Sequence, residues 1–152
     1  MAQMTGDEWK AFVSTGTRTG KIATTRADGR SHVVPVWFVL DGEDVIFTTG
    51  ADRVKAKAMR RDPRVSICVD DQEPPYAYVT IEGTARLEEN SPDLLRWSML
   101  IGGRYMGADR AEEFGRRNAV PGELLVRVTP TKILAEKNIA GYEGVAKERG
   151  RW

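Results

Sequence analysis

The run from Ser31 to Leu40, SHVVPVWFVL, is apolar on both faces when extended: Val34, Val36, Phe38 and Leu40 point one way, Val33, Trp37 and Val39 the other. A strand of this kind needs cover on both sides. In an antiparallel sheet of a small protein, that suggests a closed barrel with one side inward. A helix, a ligand or a second subunit then lies on the other side. Pro35 sits inside the run and has no amide hydrogen to give to a ladder, so the strand is interrupted, bulged or at an edge there. Backbone groups freed around such a break either meet the polar edge of a ligand ring or simply mark an edge strand.

The neighbouring segments are read as strands by the same alternation. Lys21 to Arg26 is β-rich and leads through the hairpin turn Ala27-Asp28-Gly29-Arg30 into the apolar run. Asp41-Gly42-Glu43-Asp44 is a second turn, into Val45 to Thr49. Arg64 to Asp70 is a further strand, followed by a longer one with Tyr76, Tyr78, Thr80 and Glu82 on one side and Ala77, Val79, Ile81 and Gly83 on the other. Gly83 suggests a bulge where barrel strands bend. The two tyrosines suit either stacking on an aromatic ligand or closing the barrel mouth. ELLVRV and KILAE complete the strands. Helices are expected over Thr5 to Thr15, from Ser91 as N-cap to Gly102, and over Ala108 to Arg117. The tail from Gly141 to Trp152 is polar and reads as loosely ordered unless Trp152 docks. Mostly antiparallel strands joined by short turns make this a mainly β chain with helical additions, a small barrel in one domain over residues 1–152.

Between the strands lies a stretch of concentrated charge, Phe47 to Pro63, FTTGADRVKAKAMRRDP. It reads as a strand end, a turn at Gly50 and a short helix with Asp52 as N-cap, closed before Pro63. From Thr49 to Arg64 there are six cations (Arg53, Lys55, Lys57, Arg60, Arg61, Arg64) against two acids (Asp52, Asp62), so 6 − 2 leaves +4 on a chain whose formal net charge is +1. Cations in a first helical turn oppose the macrodipole. Placed after Thr48, Thr49 and a glycine, Arg53 and Lys55 make sense if an anion such as phosphate sits there; otherwise they belong to a solvated basic face.

Several function classes are excluded or disfavoured. The near-neutral balance argues against a general nucleic-acid binder. No run of about 18 apolar residues spans a bilayer, and the N-terminus has no secretory pattern, so a cytoplasmic protein without membrane insertion is expected. The single cysteine, Cys68, excludes an intrachain disulfide and reads as a buried structural thiol. His32 is the sole histidine, so no His/Cys/Asp constellation is available for a metal site or a nucleophilic triad. Hard chemistry would come from a cofactor. Neither GxGxxG after a strand nor GxxxxGK[ST] occurs, which removes the Rossmann and P-loop fingerprints.

The segments GKIATTRADGRSHVVPVWF, IFTTGADRVKAKAMRRDPRVSICVDD and PYAYVTIEGTARL together resemble the split β-barrel flavin and deazaflavin family related to pyridoxamine 5′-phosphate oxidase. Within it, the pattern RxKxxxxRRDPR (Arg53, Lys55, Arg60, Arg61, Asp62, Pro63, Arg64) resembles small actinobacterial reductases that use the deazaflavin coenzyme F420 in place of FMN. The resemblance implies a homodimer with each cofactor in a groove between two barrels. It implies that Thr48, Thr49, Arg53 and Lys55 hold the cofactor phosphate, that backbone around Val34, Pro35 and Val36 runs along the ring's pyrimidine edge, and that Tyr76 and Tyr78 come from the partner.

On an ideal helix Arg53 and Lys57 share a face while Lys55 turns away, so pairing Arg53 with Lys55 requires a first turn that is irregular or begins later. Lys57, Arg60 and Arg61 then become candidates for the oligoglutamate tail of F420. The activity implied is hydride transfer from the reduced deazaflavin to a small conjugated acceptor such as a quinone or enone. Solvent, Tyr76 or His32 would supply the proton. An FMN-dependent enzyme of the same fold and a non-catalytic F420-binding protein are the alternatives.

Overall fold

In the computed structural model, which describes residues 1–141, the strands and helices follow the sequence pattern closely. They are β1 (Ala2–Gln3), α1 (Gly6–Val13), β2 (Gly20–Thr25), β3 (Ser31–Val36), β4 (Val39–Asp41), β5 (Asp44–Gly50), α2 (Val54–Arg61), β6 (Arg64–Asp71), β7 (Ala77–Glu88), α3 (Leu94–Met106), α4 (Ala111–Asn118) and β8 (Glu123–Lys137). The expectation of a loose tail falls, beyond Gly141, outside the described residues.

All pairings are antiparallel, in the order β3-β2-β6-β7-β8-β5-β4, with β1 also on β8. The two ends of this path are edges, so the sheet is an open split barrel and not the closed barrel suggested by the two-faced apolar run. That run is not one strand either. It breaks after Val36, and Trp37 and Phe38 carry the chain from the β3 edge to β4 at the opposite edge. Pro35 sits opposite Lys21 on the edge strand, the position where a proline costs a sheet least.

The inner face is built from cross-strand rows. Val34, Ile22, Ile67, Ile81 and Ile133 stand opposite one another across five strands, and Phe38, Phe47, Val79 and Val126 close the same core. One end is covered by α1, whose Thr5 hydroxyl accepts from the Glu8 amide at 3.2 Å while the Glu8 carboxylate accepts from the Thr5 amide at 3.4 Å. This capping box fixes α1 so that Trp9 and Val13 are buried. The outer face carries Val33, Cys68, Thr80 and Leu134, with Val33 and Leu134 exposed. Cys68 is therefore a half-buried outer residue, not a core thiol.

Two other local expectations are corrected. Tyr76 has φ 63° and lies in the turn before β7, so it is not a strand mate of Tyr78. Ser91 does not cap α3; its hydroxyl accepts from the Asp93 amide in a tight turn, and the helix starts at Leu94 and runs to Met106. Beyond it, α4 packs closely because Gly115 has no Cβ, which would lie 2.4 Å from the Met99 side chain. None of the helices among the described residues is long and apolar enough to cross a membrane.

Two contacts set the shape. In β8 the residue Thr131 is extra, and the register against β7 shifts between Glu82 and Gly83. A Cβ on Gly83 would lie 2.6 Å from the Thr129 carbonyl oxygen. On α3, the partly buried Arg104 guanidinium donates to the carbonyls of Val13, Gly16, Arg18 and Phe38, and Tyr105 donates to Arg18 O while accepting from the Phe38 amide.

Gly83→Ala is expected to cost about 1–3 kcal/mol, because the added methyl meets backbone that cannot rotate away. Arg104→Met, similar in length but without donors, is expected to cost about 2–3 kcal/mol by orphaning several partly buried carbonyls. Urea titration checks both: the midpoint falls and the slope stays unchanged. A parent-like midpoint for either variant contradicts the role given to that contact.

Candidate functional site

The basic stretch folds differently at its start from the simplest reading, and the difference creates the site. After β5 the chain makes one turn, in which the Arg53 amide donates to Gly50 O, and α2 begins only at Val54. Arg53, not Asp52, occupies the N-cap position, in extended conformation and with no side-chain cap bond. The first-turn amides of α2 have no acidic side chain to serve them. Because Arg53 precedes the helical twist, its side chain is not bound to the Lys57 face, and Arg53 and Lys55 line the same cleft.

Two contiguous clefts share Thr48, Arg53, Lys55, Asn118 and Glu123. The first, about 610 Å³, extends from these residues over Thr49 and Gly50 to Pro121 and Gly122. The second, about 530 Å³, extends the other way to Pro35, Val36, Trp37, Ile101 and Arg117. The fold thus joins the strand break at Pro35 to the basic turn, two segments separated by the whole of β4 and β5.

The polar groups of this groove are largely unengaged with one another. Among the described residues the hydroxyl of Thr49, itself 3% exposed, has no hydrogen-bond partner. Among the same residues neither Arg53 nor Lys55 forms an ion pair within 4.0 Å, whereas Arg60, Arg64 and Arg127 all do. Burial pushes the Lys55 ammonium below its ordinary range; the Arg53 charge adds to this, and Glu123 opposes it. A lysine held in this way gains most from an incoming anion.

The apolar wall is Trp37 with Ile101, and the stretch after Asn90 backs the indole. Trp37 stacks on Tyr105 with ring centroids 5.2 Å apart and planes 4° from parallel, and Phe114 tilts against it at 6.3 Å. Tyr105 is in turn held by its two backbone hydrogen bonds, so the indole is fixed through α3. Arg117 lies over the Phe114 ring, 5.5 Å from its centroid, at the edge of the groove.

Other residues singled out from the sequence lie elsewhere. The Val34 side chain belongs to the inner core row and does not line the groove. Lys57 and Arg61 are exposed on α2 outside it, and Arg60 pairs with Glu89. His32 sits at the start of β3, its Nδ1 3.1 Å from the Arg26 guanidinium. Tyr76 and Tyr78 line a separate hollow with Asp70 and Asp71. The groove residues that the sequence did not disclose are Trp37, Ile101, Arg117, Asn118 and Glu123. Their positions depend on long-range pairing, and no local spacing marks them.

Comparison with known proteins agrees with this architecture. A structure of the conserved hypothetical protein Rv2991 from Mycobacterium tuberculosis is 28% identical, with a TM-score of 0.77 over 89% of this chain and 86% of that one. A structure named F420 reductase is 26% identical, with a TM-score of 0.66 over 86% of this chain and 98% of that one. The heme storage protein HutZ from Vibrio cholerae, 20% identical at a TM-score of 0.66 over 85% of this chain and 92% of that one, shares the fold. The model of the pyridoxamine 5′-phosphate oxidase family matches residues 5–137, most of the described chain, and the protein belongs to that family.

Proposed function

We propose that the protein is an F420-dependent oxidoreductase that acts as a homodimer on a small conjugated acceptor such as a quinone or enone. The observation that carries this reading is the junction of the two clefts. There two cations that have no ion-pair partner among the described residues lie with Thr48 and Thr49 beside an uncapped helix start, within reach of a flat aromatic wall. The similarity to a structure named F420 reductase supports the deazaflavin over FMN.

The bound coenzyme would supply the hydride chemistry. The chain's own residues bind and orient. Arg53, Lys55, Thr48 and Thr49 take the phosphate, Pro35 and Val36 bring backbone to one edge of the ring slot, and Trp37 with Ile101 makes it apolar. Arg60 and Arg61, with Lys57, present cations beyond the groove to an anionic tail. Val33 and Leu134, exposed on the outer sheet face, suit a second subunit, which would carry its own Tyr76 and Tyr78 toward the site.

Titration of the purified protein with F420 and with FMN, at low and high salt, tests the reading. Preferential, salt-sensitive binding of F420 is expected, followed by reduction of a quinone or enone by the reduced coenzyme. Preference for FMN moves the protein to the flavin branch, and binding without turnover on any acceptor makes it a carrier. Reversing the charge at both Arg53 and Lys55 is expected to weaken binding at least about 100-fold. Parent-like affinity in that variant overturns the assignment of the phosphate site.

The depressed Lys55 gives a pH dependence of stated sign. A bound anion favours the protonated ammonium, so affinity is full below the free protein's Lys55 pKa and declines as pH rises through it, earlier than for an ordinary lysine. In Lys55→Arg, which stays charged, the decline is expected to disappear. Superimposable affinity profiles for parent and variant between pH 7 and pH 10, a range of about three units, would argue against Lys55 as a phosphate ligand.

A further inference from the structure

The first of the two clefts holds carboxylates as well as cations. Asp52 and Glu123 both line the cleft around Gly50. Their oxygens approach to 3.0 and 3.8 Å from the point where a Cβ on Gly50 would stand, and the Arg53 Cγ lies 3.5 Å from that point. Glu123 is brought there by the pairing of β5 with β8, which sets it opposite Gly50. Within this first cleft two cations (Arg53, Lys55) and two anions (Asp52, Glu123) formally cancel, leaving the helix start, equivalent to about half a positive charge, as the local excess; Arg117 lines only the second cleft.

This balance bears on which phosphate fits. Attraction to a site grows linearly with ligand charge, whereas the cost of removing the ligand from water grows with its square. In a pocket with little excess charge, a second negative charge adds more cost than gain. The first cleft also continues past the junction to Ala51, Pro121 and Gly122, none of them charged, where a second ester arm has room.

We propose that Glu123, with Asp52, makes the cleft selective for a singly charged phosphodiester over a doubly charged phosphate monoester. This rests on the cofactor-cleft reading above and names the chemical class that the cleft takes. It makes the discrimination between a deazaflavin diester and FMN partly a matter of phosphate charge, independent of the ring.

The test separates charge from ring by using FMN and its methyl ester, which share ring and chain but differ by one phosphate charge. Dissociation constants are measured for both, and for F420, with the parent, Glu123→Gln, Asp52→Asn and a distant control, Glu43→Gln. The parent is expected to bind the methyl ester more tightly than FMN. Glu123→Gln is expected to tighten FMN about tenfold, while the methyl ester changes by about threefold or less. Asp52→Asn should shift the ratio in the same direction, which keeps the test available if one variant fails to fold; Glu43→Gln should leave it unchanged. Equal gains for both esters, a parent preference for FMN, or binding of none of the three ligands overturns the proposal. Loss of F420 binding alone, with the ester preference intact, overturns the deazaflavin reading and leaves this one standing.

Discussion

The close approach of β7 and β8 at Gly83 is the constraint on which the rest of the architecture depends. Strand β8 is long, pairs with β7 from Leu125 to Glu136, and changes its other neighbour from β5 in its first half to β1 at its end. Such a strand must bend between the two neighbours, and the extra residue Thr131 with a backbone oxygen pressed against Gly83 provides the bend. On one side of it, Glu123 to Val128 holds β5 and so the turn at Gly50. On the other, the strand continues the outer face that carries Val33 and Leu134. The groove and the exposed face are two consequences of one irregularity.

A second constraint concerns the gap between the sheet edges. The chain crosses from β3 to β4 through Trp37 and Phe38, and no sheet hydrogen bonds hold that crossing. Arg104 and Tyr105 take over the task from α3, reaching the Phe38 amide and carbonyl together with the ends of α1 and the start of β2. An arginine used in this way needs no carboxylate: its donors are satisfied by carbonyls, and its faces lie over Phe38 and Tyr105. Fixing the crossing also fixes the indole wall, so part of the groove's shape is carried by a helix that contributes only Ile101 to its lining.

These two constraints explain what could be read in advance. Strand alternation, turn residues and the bulge glycine are local signals, and they located β2, β5, β6 and β7 and the irregularity at Gly83. Pro35 correctly marked a break at an edge. Asp52 was misleading because an aspartate before a charged helix looks like a cap, whereas a backbone turn from Gly50 to Arg53 moves the helix start one residue on. That shift is what lets Arg53 and Lys55 share a cleft. The role of α3 and α4 was illegible because it is exerted by packing on Trp37. Glu123 was illegible because it meets Gly50 only through a strand pairing across nearly half the chain.

Glu123 also illustrates why a binding site can contain a charge of the wrong sign. Arg53 and burial both work against the Lys55 ammonium in the free protein, and Glu123 is the group that opposes them. Without it, nothing would oppose the downward shift, and the lysine would hold its proton less firmly. With it, the lysine holds its proton more firmly, at the expense of some attraction for the anion. The expense falls more heavily on a doubly charged ligand than on a singly charged one, since each added charge meets the same carboxylate. In the proposed site, supporting the lysine's charge and restricting which anion is accepted are therefore one electrostatic effect seen from the two sides of the binding equilibrium.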